Sequence, residues 1–389
     1  MKKLNFTPFL MVLVIVFFTQ CQPREKGSHA KIIEVNDNKV IDCNISEITD
    51  TIDFPLSKIV DNCQLIQLQT NKESLFQSVY HIGISENYIA IHSYGQMPIK
   101  LFDRKGNFIR NIGKIGRGPG EFNSLYGMQI SEETNKIYLA PFARATKLIV
   151  YSLNDESLPD VPLLYTQTKF QFYIDNNILT VLSMPFEGDP IPIAFQQSID
   201  GKLIKECYEP KHLVTNPRNS KGQYVGFNNE LSSARNAGAY DYFKLSWGAE
   251  TPDTLYYYNA EANKMVPKFV TSFTGENYGT WVREFKNHYW SVIFGDKYKG
   301  AKIIVDKKTL KSDFFKLKND FYGGIELYKF FMSNNGWFVA SMPAHELKTK
   351  FTELLENGDL KTAEKEKIKG ITAQLDENDN EVLFVGKMK

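Results

Sequence analysis

The chain is poor in cysteine: 389 residues hold 4, at Cys21, Cys43, Cys63 and Cys207. So few thiols, so widely spaced, make neither a disulfide framework nor a zinc site. A Cys43–Cys63 bridge stays open beside the plainer reading of small hydrophobes buried in strands. Charge of one sign is also missing. Lys and Arg number 46 and Asp and Glu 45; without Lys2 and Lys3 the remainder carries 44 against 45. A body this close to neutral has no global electrostatic case for binding nucleic acid. Signatures of catalysis are absent too. No GxSxG elbow and no EF-hand loop occur. None of His29, His81, His92, His212, His288 and His345 forms an HxH or HxxxH pair. A lone strand histidine is more often structural than a metal ligand, although His81 and His92 flank one hairpin and are candidates to face a central channel.

Long apolar runs are missing with one exception, residues 9–18 (FLMVLVIVFF), which follow Lys2 and Lys3. Ten residues of helix rise only about 15 Å, roughly half the hydrocarbon core of a bilayer. That is the core of a signal peptide rather than a membrane span. Thr19-Gln20-Cys21 follows, and Cys21 resembles the lipobox cysteine of bacterial lipoproteins, which is acylated and becomes the new N-terminus. Gln20 is bulkier than the residue usual there, and an ordinary secretory signal with an incidental cysteine is the alternative. Residues 1–20 therefore read as a lipoprotein signal peptide and 21–30 as a flexible tether. Residues 31–389 read as one domain.

What the chain does have is hydrophobic residues at 42% and aromatics at 13%, enough for a real core. Short β-rich runs alternate with turn signals. Ser85-Glu86-Asn87, Arg104-Lys105-Gly106-Asn107, Glu133-Thr134-Asn135, Asp175-Asn176-Asn177, Asp200-Gly201 and Asn335-Gly336 each separate two such runs. These are residues that tolerate the positive φ of tight hairpins. Alternate turns keep a beat: Glu86 to Glu133 is 47 residues and Glu133 to Asn176 is 43. The interleaved set, Gly106 to Asn154 and Asn154 to Asp200, gives 48 and 46. A period of 40–50 residues holding four strands is the signature of a propeller blade.

After Gly201 the beat weakens, but strand patterns persist through residues 242–341. Residues 210–239 form a long aperiodic stretch, of the kind that is disordered or functional within a domain. Residues 344–356 and 360–375 carry helical spacing around the stop signal Asn357-Gly358-Asp359. They should be two short C-terminal surface helices packed on the ring. A last strand at 381–385 then suggests that N- and C-terminal strands share one blade and close the ring. The fold class expected is all-β, a six-bladed β-propeller.

Within residues 99–122 (IKLFDRKGNFIRNIGKIGRGPGEF), Gly118-Pro119-Gly120-Glu121 fits a type II turn, with Pro at the second position and a positive-φ Gly at the third. Gly116 eases the approach to it. A phosphate-binding reading fails because no Lys-Ser/Thr follows and no helix begins there. Gly116, Gly118, Pro119, Gly120 and Glu121 therefore read as a structural turn motif.

These residues resemble the six-bladed β-propeller lipoproteins of Bacteroidetes, a family related to NHL-repeat propellers. The likeness rests on Phe102-Asp103 with Lys105-Gly106, on Ile112-Gly113, and on Gly116 to Glu121. Asp253-Thr254-Leu255-Tyr256 and Asp379-Asn380 with Val382-Leu383 extend it. Glu381 stands where the family usually has proline, a departure expected to loosen a turn. Asp50-Thr51-Ile52 also resembles the Bacteroidetes O-glycosylation signal. The resemblance implies a cell-envelope protein; with Cys21 acylated it is expected to be a lipid-anchored monomer at the outer membrane, on its periplasmic or exposed side. It supplies no catalytic residues.

Two functions follow as expectations. One is a non-enzymatic binding module for a glycan, peptide or protein, with no cofactor and no nucleic acid; Tyr256-Tyr257-Tyr258 and Trp281 are its candidate stacking residues, against a plainer role as blade filling. The alternative is a lactonase-like hydrolase or lyase with Ca²⁺ or Zn²⁺ in the central channel.

Overall fold

The recurring turns are hairpins, and the strands they join stack into six antiparallel sheets. The computed structural model describes residues 27–93, 95–213, 242–244, 253–273, 279–294, 298, 300–332 and 336–389. Cys21, the apolar run and most of the 210–239 stretch lie outside these residues.

Blade 1 is Val79–Ile84, Tyr88–Ser93, Ile99–Asp103 and Phe108–Ile112, paired in chain order. Blade 2 repeats this with Leu125–Ser131, Lys136–Pro141, Ala145–Ser152 and Ser157–Gln167. Gln171–Asp175, Ile178–Leu182, Ala194–Ser198 and Leu203–Cys207 make blade 3. The two interleaved turn sets are the first and third turns of each blade. Asn135, Asn176 and Gly201 take φ of 54°, 48° and 89° there. Blade 4 contains Tyr242–Lys244, Asp253–Asn259 and Lys264–Ser272. Gly279–Glu284, His288–Phe294, Lys302–Asp306 and Ser312–Asn319 form blade 5, and Phe330–Met332, Trp337–Met342 and Val382–Lys387 belong to blade 6. Together these sheets are a six-bladed β-propeller.

Among the described residues one hydrophobic cluster fills each junction between neighbouring blades. Among the described residues every blade thus packs both faces on its neighbours. Tyr257, for example, packs between blades 4 and 5, and Tyr256 and Tyr258 between blades 3 and 4. The largest cluster joins blades 5 and 6 and takes in the two helices, α1 (Ala344–Asn357) and α2 (Thr362–Gln374). Leu347 and Phe351 of α1 and Ile368 of α2 are fully buried, so both helices are docked on the ring as their spacing implied.

The N-terminal segment was not legible as strands, and it decorates the rim. Ala30–Val35 pairs with Asn38–Asn44, which lies parallel to the outer strand of blade 4. Thr51–Pro55 does the same on blade 5, parallel to Ser312–Asn319. Gln64–Ile66 becomes the outermost strand of blade 6, antiparallel to Val382–Lys387. These strands are short, lie at sheet edges and are not joined by the two-hairpin beat, which is why periodicity passed over them. The expected tether also ends early. Gly27 O already accepts from Ser312 N–H (3.2 Å), and Ser28 Oγ donates to Leu310 O (3.2 Å).

Closure of the ring depends on side chains as well as strands. Asn380 is almost fully buried. Its Oδ1 accepts from Phe76 N–H (3.0 Å), and its Nδ2 donates to Gln69 O (3.0 Å) and Ser74 O (3.2 Å). The C-terminal segment thereby holds the link from blade 6 to blade 1. Glu381 does not loosen this turn. It is buried, pairs with Lys329 Nζ (3.1 Å) and accepts from Val79 N–H (3.3 Å). A proline there would supply neither contact. The outer strand of blade 6 also presses on the third turn of blade 1: a Cβ on Gly106 would lie 2.1 Å from Gln67 O.

Asn380→Ala should therefore destabilise the fold by about 3 kcal/mol, since it strands two buried backbone groups, Phe76 N–H and Ser74 O, while Gln69 O keeps the Ser74 hydroxyl. Urea unfolding of this variant beside the exposed control Asn378→Ala checks it; equal stabilities would contradict the closure role. Deleting residues 382–389 should unfold blade 6, and an unchanged melting temperature after that deletion would refute it.

Candidate functional site

An antiparallel meander puts successive turns at opposite ends. The hairpin turns share one end of the ring, and the longer connections within and between blades share the other. That loop-bearing end holds residues 95–98, 113–124, 183–193 and the link carrying α1 and α2. Two histidines singled out by the sequence meet there.

His81 sits on the innermost strand of blade 1 and His92 on its neighbour, directly opposite in register. A bulge between Val79 and His81 sets this pairing. The rings lie parallel, 5.6 Å between centroids and 7° between planes, and the Tyr80 ring stands 4.3 Å from His81 and 5.8 Å from His92. His92 is 4% exposed. His81 hydrogen-bonds the backbone of Leu125, at the start of blade 2, so the pair spans the junction of blades 1 and 2. His81 Nε2 and His92 Nδ1 are buried without a hydrogen-bond partner.

Burial pushes His81 down to about 4, with the neighbouring His92 as a second cause, and burial pushes His92 down to about 4. Both rings are therefore neutral at pH 7. Beside them the Tyr126 ring faces Phe142 at 5.8 Å. Deeper along the same strand, Gln129 joins blades 2 and 3: its Nε2 donates to Ile174 O (2.7 Å) and its Oε1 accepts from Ile174 N–H (2.8 Å). Lys100, 4% exposed on the third strand of blade 1, is held by Glu73 O, and burial lowers its pKa. Lys100 faces the link from blade 6 and the Gln129 amide is spent on Ile174, so the junction of blades 1 and 2 itself offers ring faces and neutral imidazoles rather than a carboxylate pair.

Metal ligation was tested against the same residues. No three of His, Cys, Asp and Glu converge into a metal-binding group among the described residues. His81 and His92 supply two imidazoles without a third ligand. Cys43, Cys63 and Cys207 are buried and free, with no bridge. Burial pushes each thiol up to about 12, which keeps all three protonated and unreactive at neutral pH. Near the end of blade 3, Glu209 accepts from Met265 N–H (2.7 Å) and faces His212 (3.2 Å) and Lys211 (3.1 Å), which ties blade 3 to blade 4.

The glycine-rich loop closes on itself. Glu121 N–H donates to Gly118 O (3.0 Å), and Gly120 has φ of 75°, the geometry of a type II turn. Glu121 Oε2 accepts from Gly118 N–H (2.8 Å), and a Cβ on Gly116 would lie 1.9 Å from that same oxygen. Gly113 N–H goes to Asp155 Oδ1 (2.7 Å), Gly116 N–H to Phe122 O (3.2 Å), and Phe122 N–H to Lys114 O (3.0 Å). These amides all donate inside the protein, so they form no phosphate cradle. Of the candidate stacking residues, Tyr256, Tyr257 and Tyr258 are at most 9% exposed and belong to the core. Trp281, on the innermost strand of blade 5, is 37% exposed. Tyr80 and Gln129 carried no sequence signal, because their placement follows from which strand lies innermost.

The histidine pair makes a pH prediction. In the unfolded chain each ring titrates near 6.5, in the fold near 4. The folded state therefore binds fewer protons between these values, and its stability is full above pH 6.5 and falls as the pH drops toward 4. Imidazole proton–carbon spectra should show both rings static from pH 8 to 5. A midpoint near 6.5 for either ring would contradict the burial.

A Bacteroides fragilis protein named as a candidate for export superposes with a TM-score of 0.59 at 17% identity, over 87% of this chain and 100% of its own. A Bacteroides vulgatus member of the DUF4221 family aligns over 94% of this chain and 99% of its own at 12% identity, with a TM-score of 0.43, too loose to bear on the fold. No curated protein matches the sequence. The family model of the domain of unknown function DUF4934 matches residues 38–387, nearly the whole ring with its N-terminal rim strands, and the chain belongs to that family.

Proposed function

We propose that this chain is a lipid-anchored propeller of the cell envelope, similar to the NHL-like lipoproteins of Bacteroidetes. It binds a glycan, peptide or protein partner at its loop-bearing end and acts as an interaction module rather than an enzyme. The observation that carries the reading is the junction of blades 1 and 2. There the half-buried rings of Tyr80 and His81 stand together at the surface, backed by the buried ring of His92, and both imidazoles are neutral. Ring faces beside uncharged hydrogen-bonding atoms suit a sugar or a peptide backbone better than an ionic substrate. The Trp281 ring on the innermost strand of blade 5, 37% exposed, adds a second stacking surface.

The address rests on the sequence, with Cys21 as the acylated residue behind a signal peptide and the outer membrane as its destination. The name of the Bacteroides fragilis neighbour points to export as well. No helix among the described residues is long and apolar enough to cross a membrane. The lactonase-like alternative needs a divalent cation held by converging ligands, and the described residues offer no such group.

The test is direct binding. Residues 22–389, screened against neutral oligosaccharides and short peptides, should show saturable binding that Tyr80→Ala weakens about tenfold, the worth of one lost ring contact. Circular dichroism of the variant should be unchanged. Ca²⁺- or Zn²⁺-dependent turnover of a lactone or polysaccharide, without such binding, would reverse the assignment.

A further inference from the structure

The chain enters the propeller at one place on its rim. Gly27 O is bonded to Ser312 N–H, Ser28 Oγ to Leu310 O, and a Cβ on Gly27 would lie 3.5 Å from Lys311 Cε. This is the third turn of blade 5. From there Ala30–Val35 and Asn38–Asn44 run along the outside of blade 4, and Thr51–Pro55 returns along blade 5. Only six residue steps separate Cys21 from Gly27. A polypeptide spans at most about 3.6 Å per residue in any conformation, so Gly27 stays within about 22 Å of an anchor at Cys21. A folded chain of this length measures roughly 55 Å across. The leash is less than half the diameter.

Resting on the lipid-anchor reading above, we infer that the rim of blades 4 and 5 is the surface held against the lipid headgroups. In a six-membered ring blade 1 lies opposite blade 4 and blade 2 opposite blade 5. The junction of blades 1 and 2, with Tyr80, His81 and His92, is therefore turned away from the bilayer and meets its ligand in the aqueous phase. Charge does not drive this placement. The rim beside Gly27 exposes Lys308 and Lys311, but also Glu47 and Asp50. Neither sign dominates, so the same orientation is expected on neutral and on anionic lipid.

Equivalent turns on opposite blades supply the probes. Lys308 lies in the third turn of blade 5 and Asn154 in the third turn of blade 2, both exposed. Cys43, Cys63 and Cys207 are buried, so a single introduced surface cysteine takes a fluorescent donor selectively. The full-length lipoproteins K308C and N154C, donor-labelled, are reconstituted into phosphatidylcholine vesicles carrying an acceptor on the headgroup. Energy transfer should be about threefold stronger from position 308, given an offset of roughly one protein diameter. A flexible Gly/Ser insertion of about 30 residues after Gln22 should abolish the difference, because it lets the ring turn over. Equal or reversed transfer in protein that floats with the vesicles overturns the orientation while leaving the anchor intact. Protein that does not float and carries no acyl mass on Cys21 overturns the anchor, and the orientation with it.

Discussion

The ring stands or falls on one buried amide. Asn380 satisfies a backbone donor and two backbone acceptors on the segment that carries the chain from blade 6 to blade 1, and Glu381 adds a fourth bond to Val79. The groups it joins are about 300 residues apart in sequence, so the contact ties the two ends of the ring together. Buried polar groups of this kind cost little when every member is satisfied and much when one is missing. The strand pair Gln64–Ile66 with Val382–Lys387 is the backbone half of the same lock.

The rest of the geometry follows from that closure. With the ring shut, each blade among the described residues packs both faces on its neighbours, so aromatic side chains that look like a ligand platform in sequence are consumed as packing. Tyr256, Tyr257 and Tyr258 show this. The ends of the ring keep what packing does not need. At the hairpin end, Trp337 lies between two cations, with the Arg104 guanidinium 4.1 Å and Lys387 Nζ 4.4 Å from its ring. At the loop-bearing end the blade 1–2 junction keeps Tyr80 and two neutral imidazoles. Burial is the common cause: the low dielectric that makes the junction tight also strips the histidines of charge.

Much of the architecture was legible because a propeller repeats. The two-hairpin beat around Glu86, Gly106, Glu133, Asn154, Asn176 and Asp200 marks the first and third turns of three successive blades. The helical spacing after Ala344 marks α1 and α2. The rim strands before residue 66 were not legible, because edge strands paired in parallel with distant partners leave no periodic trace. Glu381 was misread for a related reason. Its effect depends on Lys329 and Val79, which are neighbours only after closure.

Local backbone preference and short-range hydrogen bonding set the blades, their turns and the type II turn at Gly118-Pro119-Gly120-Glu121, which the Tyr151 hydroxyl then fastens to blade 2 through Gly120 O (2.6 Å). Tertiary structure alone decided which side chains converge. Stacking His81 on His92 required a bulge and a register. Burying three tyrosines required the neighbouring blades. Fastening Gly27 to blade 5 required the chain to circle the ring. Local rules stop at the blade, and the chemistry of this protein lies at the junctions between blades.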